Sequence, residues 1–147
     1  MSKDLYKSRK MYQNPIILII AVVCAIILAI FVIDIVSKKV SIAKIDNDTK
    51  TVLKDIMEVE SEKRKEVAEE GLKKLGNNSP NINIIEKDGI LVLINNSSYF
   101  TIVGELFKKP KYYTASFKAS YNEYHEIVVE KYDDGINDSN DDDIIIK

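Results

Sequence analysis

From Ile16 to Ile33 the chain runs 18 residues drawn only from Ile, Leu, Val, Ala, Phe and Cys. About 20 such residues in a helix, rising 1.5 Å each, cross the ~30 Å hydrocarbon core of a bilayer. A helix that is apolar on every side must be wrapped by protein or bathed in lipid. The rest of this chain is too small and too polar to wrap it, since 30% of the 147 residues are charged. The segment is therefore expected to be a transmembrane helix. Asn14 can cap its start and Pro15 suits the first turn, where a missing N–H costs nothing. Extending the helix over residues 15–36 admits one charge, Asp34. A secretory signal has a shorter apolar core of ~7–15 residues. Lys38 and Lys39 also stand between the run and the small residues Ser41-Ile42-Ala43, so cleavage is not expected.

Basic residues do not orient the helix. Lys3, Lys7, Arg9 and Lys10 precede it, and Lys38, Lys39, Lys44 and Lys50 follow, so the positive-inside rule is balanced. The short leading tail, residues 1–14, is expected in the cytoplasm and the C-terminal part outside. Within the span Ala21, Ala25 and Ala29 recur at four-residue intervals, a small-residue strip of the kind at which a second helix can approach. Cys24 reads as a small apolar residue. A carboxylate deep in hydrocarbon costs ~2.5–3.5 kcal/mol. Asp34 is thus expected either at the water interface or against a partner subunit.

Residues 37–76 read as a helical stalk. Ile35, Ile42, Thr49 and Ile56 share one heptad position, and Ile45, Val52 and Val59 another. Asp46-Asn47-Asp48 is a place where the helix is expected to break, with Asp48 capping a restart at Thr49. Val67, Ala68, Leu72 and Leu75 form a narrow apolar stripe in an otherwise charged stretch, and Gly76-Asn77 is a stop signal. The pattern then turns to strands over 77–132. Asp88-Gly89 marks a hairpin, Ile90 to Ile94 returns, and Tyr99 to Val103 reads as a further short strand. Tyr113, Ala115, Phe117, Ala119 and Tyr121 alternate onto one face, and Glu126 to Tyr132 is the last strand. The expectation is an α+β fold: a transmembrane helix, a helical stalk, and an antiparallel sheet of four or five strands. So small a sheet cannot bury a face alone, and the preceding helix is the available cover. Residues 133–147, with six Asp, are expected to form a disordered acidic tail.

Several chemistries find no support. The net charge is −2, without the basic surplus of a nucleic-acid binder. One His and one Cys exclude a disulfide within the chain and a Cys/His zinc site. The five glycines are scattered, so no phosphate-cradling loop is present. His125 at a strand start reads as structural or exposed. No enzyme activity, cofactor, metal or small-molecule substrate is expected.

The order of elements, the segment Tyr99-Phe100-Thr101-Ile102-Val103-Gly104-Glu105-Leu106-Phe107, and the strand in which Thr114, Ala115, Ser116, Ala119 and Glu123 fall in a T-A-S-x-x-A-x-x-x-E pattern resemble the TadE/TadG-like pseudopilins of the tight-adherence (Flp) pilus. Asp34 at the end of the apolar run resembles the Asp that ends the membrane helix in some members. No Gly precedes Gly71 and no Glu precedes Glu58, so the likeness is to members retained in the membrane without prepilin-peptidase processing, or to a divergent minor component. The resemblance implies a structural protein of a bacterial cell membrane. Its partners would be lipid and other pilin-like or secretion-apparatus subunits. The alternative is a membrane-tethered extracytoplasmic sensor or binding module; a membrane-bound hydrolase would need an acid/base pair in a cleft.

Overall fold

A computed structural model describes residues 14–132. The expectations for the leading tail before residue 14 and for the acidic tail, 133–147, lie outside the described residues. Helix α1, Pro15–Met57, is one unbroken run of 43 residues, about 64 Å long at 1.5 Å per residue. It starts as the sequence indicates, with Asn14 Oδ1 accepting from the Ile16 amide at 3.1 Å and Pro15 in the first turn. The apolar run is exposed throughout and is long and apolar enough to cross a membrane. Beyond it the helix becomes one-sided. Ile45, Thr49, Val52, Leu53 and Ile56 are buried, repeating at the three- and four-residue spacing of a helix face.

The expected break at Asp46-Asn47-Asp48 does not occur. Each carboxylate there has a tertiary partner: Asp46 accepts from the Tyr113 hydroxyl, and Asp48 from Lys44 and Asn77. The bend comes instead after Met57, where the chain passes through a 3₁₀ turn at Ser61–Lys63 into α2, Arg64–Lys74. The stalk is thus not one helix over 37–76 but a helical hairpin. Where Gly71 faces Val52 a Cβ would lie 3.1 Å from Val52 Cγ2, so glycine lets the two helices approach there. Helix α2 ends at the expected place, with Gly76 N–H bonded to Lys73 O and Asn77 N–H to Leu72 O, both at 3.0 Å. These satisfy carbonyls that a helix terminus otherwise leaves open.

Strands β1 (Asn78–Lys87), β2 (Ile90–Tyr99), β3 (Lys111–Tyr121) and β4 (Ile127–Lys131) form a four-stranded antiparallel sheet in the order β1-β2-β3-β4. Asp88 and Gly89, at φ 53° and 76°, make the hairpin turn that the dipeptide signals. Register sets Ile82, Asn95 and Ala115 in one row, Ile84, Leu93 and Phe117 in the next, and Leu91, Ala119 and Val129 beyond. Directly paired residues point to the same face, and this face meets α1. The core therefore lies between one half of α1, with α2 beside it, and the sheet. The architecture is α+β: a long apolar N-terminal helix carrying a small sheet that its own second half covers.

One expected strand is a helix. Tyr99 completes β2, and Ile102–Leu106 forms a short helix, α3. Ile102 and Val103 favour strands by branching, but Thr101 caps this turn, its Oγ1 accepting from the Gly104 amide at 3.1 Å.

Candidate functional site

The point where the apolar run of α1 ends is also where the sheet domain touches it. Asp34 Oδ1 accepts a hydrogen bond from the Val103 amide at 2.9 Å, and the Thr101 hydroxyl bonds the same carboxylate. Thr101 is buried and serves two ends at once, accepting within α3 and donating to α1. Gly104 allows the turn to close: a Cβ there would stand 2.9 Å from the Lys109 carbonyl oxygen, inside van der Waals contact. Asp34 thus has partners within its own chain, and α3 is fixed at the height of that residue. Between α1 and α3 runs an open groove of about 410 Å³, lined by Val32, Ile33, Val36, Val40 and Ile102 with Ser37 and Ser41.

The residues singled out from the sequence separate into three places. Ala21, Ala25 and Ala29 lie in the exposed apolar stretch. Ala115, Phe117 and Ala119 are buried beneath α1. Tyr113, half-buried, reaches Asp46 with its hydroxyl at 3.0 Å, and Tyr121, at the strand end, is half exposed. Lys50 Nζ sits 4.9 Å from the centre of the Phe117 ring, within cation–π range.

Sequence reading missed the polar residues that join the elements. Inside the core Thr49 Oγ1 donates to the Ile45 carbonyl at 2.6 Å and accepts from Asn95 Nδ2 at 2.9 Å, while Asn95 Oδ1 accepts from Ser97 Oγ at 2.8 Å. All three side chains are fully buried, and each is satisfied, as burial of polar groups requires. At the helical elbow Arg64 Nε donates to the Ile56 and Val59 carbonyls at 3.1 and 2.9 Å, and Nη1 lies 2.7 Å from Glu86 Oε2. At the other end of the hairpin Lys44 Nζ donates to the Leu75 carbonyl at 2.6 Å and pairs with Asp48. Each helix thus supplies a cation to the other's C-terminus, where cations are favoured. Bonding by Arg64 first, then by Ser61, and the Arg64 charge hold the Glu86 carboxyl below the usual glutamate range.

His125 is exposed in the β3–β4 turn at φ 62°, next to Asn122, whose Oδ1 accepts from the Tyr124 and Glu126 amides. Among the described residues no group of three His, Cys, Asp or Glu is disposed to hold a metal ion. A second, smaller groove of about 230 Å³ runs beside Lys44, Asn77, Ser98 and Glu105. No family model, curated protein or solved structure matches this chain.

Proposed function

We propose that this chain is a membrane-anchored structural subunit without enzymatic activity, a minor pilin-like component that assembles with partner subunits of a bacterial surface filament or secretion apparatus. In this reading residues 15–36 span the cell membrane with the N-terminus inside and the sheet domain outside. One observation supports it above the others: α1 passes from its exposed apolar stretch into the domain core without a break. The domain is therefore coupled rigidly to the span, with no linker between them. Such coupling suits a part whose position in an assembly is set by its helix. A tethered sensor needs no such rigidity.

Assembly would proceed in lipid, where helices associate by close packing and a few polar contacts and not by hydrophobic drive. The Ala21, Ala25 and Ala29 strip offers the close approach. A photoreactive residue placed at Ala25 in intact cells is expected to cross-link to a protein of discrete mass. The same residue at Ile27, 200° around the helix, should not. Lipid adducts alone at both positions would contradict the assembly reading.

A further inference from the structure

The exposed apolar surface of this molecule does not stop where the apolar run of α1 stops. Helix α3 and the loop after it carry Ile102, Leu106 and Phe107 at 54%, 79% and 66% exposure. Phe100 and Tyr112 flank them and are also exposed. Three cations, Lys108, Lys109 and Lys111, follow directly. The Asp34–Val103 bond fixes this segment beside the last turn of the apolar run, and the apolar groove between α1 and α3 is continuous with that run.

We propose that residues 100–112 form an interfacial foot that seats the sheet domain on an anionic lipid surface. Ile102, Leu106 and Phe107 enter the headgroup–acyl boundary, and Lys108, Lys109 and Lys111 meet lipid phosphates. This inference rests on the reading that α1 spans the membrane. The physical case is the one that holds for amphipathic segments at interfaces: apolar side chains bury at the boundary while basic residues add electrostatic attraction to anionic headgroups. Aromatic residues also favour this depth. Asp34, which would be costly in hydrocarbon if bare, is bonded to the foot and lies at its level. The domain then stands at a fixed height, since its attachment has two points, the span and the foot.

The chain contains no Trp, so single substitutions report without background. Phe31→Trp, Phe107→Trp and Tyr124→Trp are made separately in the full-length protein, each at an exposed position. They are reconstituted in phosphatidylcholine vesicles with and without phosphatidylglycerol. Strand β3 carries the chain away from α3 over 11 residues, roughly 37 Å at 3.4 Å per residue, so Tyr124 is the aqueous reference. The expected result is blue-shifted emission quenched by brominated lipids for Phe31→Trp and Phe107→Trp, deep in the first case and shallow in the second, with neither effect for Tyr124→Trp. Phosphatidylglycerol should increase quenching of Phe107→Trp, and Lys108→Glu with Lys109→Glu and Lys111→Glu should abolish that increase. Quenching at Phe31→Trp with water-like emission at Phe107→Trp would overturn the foot and leave the span. A blue shift at Phe107→Trp without lipid quenching would mark self-association through this segment and also overturn it. Absence of quenching at Phe31→Trp would overturn the span and the foot together.

Discussion

Asn95 and Thr49, 46 positions apart, are joined by a 2.9 Å hydrogen bond in the fully buried space between sheet and helix. The bond locks the register of α1 on the sheet, because a helix sliding by one turn would leave the Asn95 amide without a partner in the core. Thr49→Val keeps the shape and removes the acceptor. A buried donor left unsatisfied costs about 1–3 kcal/mol, and thermal unfolding of the detergent-solubilised protein should show a loss of that size. Asn95→Leu with Thr49→Val should cost less than the sum of the single changes, since the polar pair is then removed as a unit.

Arg64 holds the elbow between the two helices. Arg64→Met keeps most of the aliphatic stem but opens the Ile56 and Val59 carbonyls and the Glu86 pair. Hydrogen exchange over Ile56–Lys65 should accelerate, and global stability should fall by about 1–3 kcal/mol. A change confined to the exposed Lys63–Glu60 pair should alter stability by well under 1 kcal/mol.

Glu86 gives this elbow a pH dependence of defined sign. Its folded carboxyl is held below the usual range by Arg64 first and Ser61 next, so the folded state binds its proton less readily than the unfolded chain. The stabilisation is complete above the unfolded value, about pH 4.3, and is lost as pH falls through the lower folded value. Denaturation of the native protein and of Glu86→Gln should therefore differ near neutral pH and converge in acid. A difference that persists unchanged to low pH would contradict the assignment.

Much of this architecture is legible in the sequence because it is periodic. The positions of Ile42, Ile45, Thr49, Val52 and Ile56 follow a helical repeat, and those of Ala115, Phe117 and Ala119 a strand repeat; Asp88-Gly89 carries its own turn chemistry. What escapes reading is what depends on distant partners. Asp46-Asn47-Asp48 has the composition of a break, yet Tyr113, Lys44 and Asn77 take its polar groups and the helix continues. Ile102-Val103 has the composition of a strand, yet Thr101 and the carboxylate of Asp34, 69 positions before Val103, make it a helical turn. The elbow after Met57 has neither Gly nor Pro to announce it; it is held by Arg64, which reaches back to two carbonyls, and by Ser61, which bonds Glu86. Thr49 within an apolar seam is the one local sign of the buried polar chain.

The core itself should behave as a single packed unit. Leu53 is fully buried between α1 and the sheet, and Leu53→Ala should destabilise the domain by about 2–5 kcal/mol through lost contacts and the cavity left behind. Leu106→Ala, at an exposed position, should leave thermal stability in detergent almost unchanged.

Asp34 ties the foot of the domain to α1. In Asp34→Ala the Val103 amide loses its acceptor, and its hydrogen exchange should rise markedly. Asp34→Asn keeps a carbonyl oxygen at that place and should retain most of the protection.

On the proposed reading the first half of α1 lies in lipid, while its second half is the spine of the domain. Cys24 is the only cysteine of the chain and sits in the middle of the apolar run, so a nitroxide attached there reads its surroundings in the otherwise native protein. In reconstituted vesicles the label should be accessible to dissolved oxygen and shielded from a water-soluble nickel chelate, the signature of the bilayer interior. Free collision with the nickel chelate, as at a water-exposed helix, would show that this stretch of α1 does not lie in lipid.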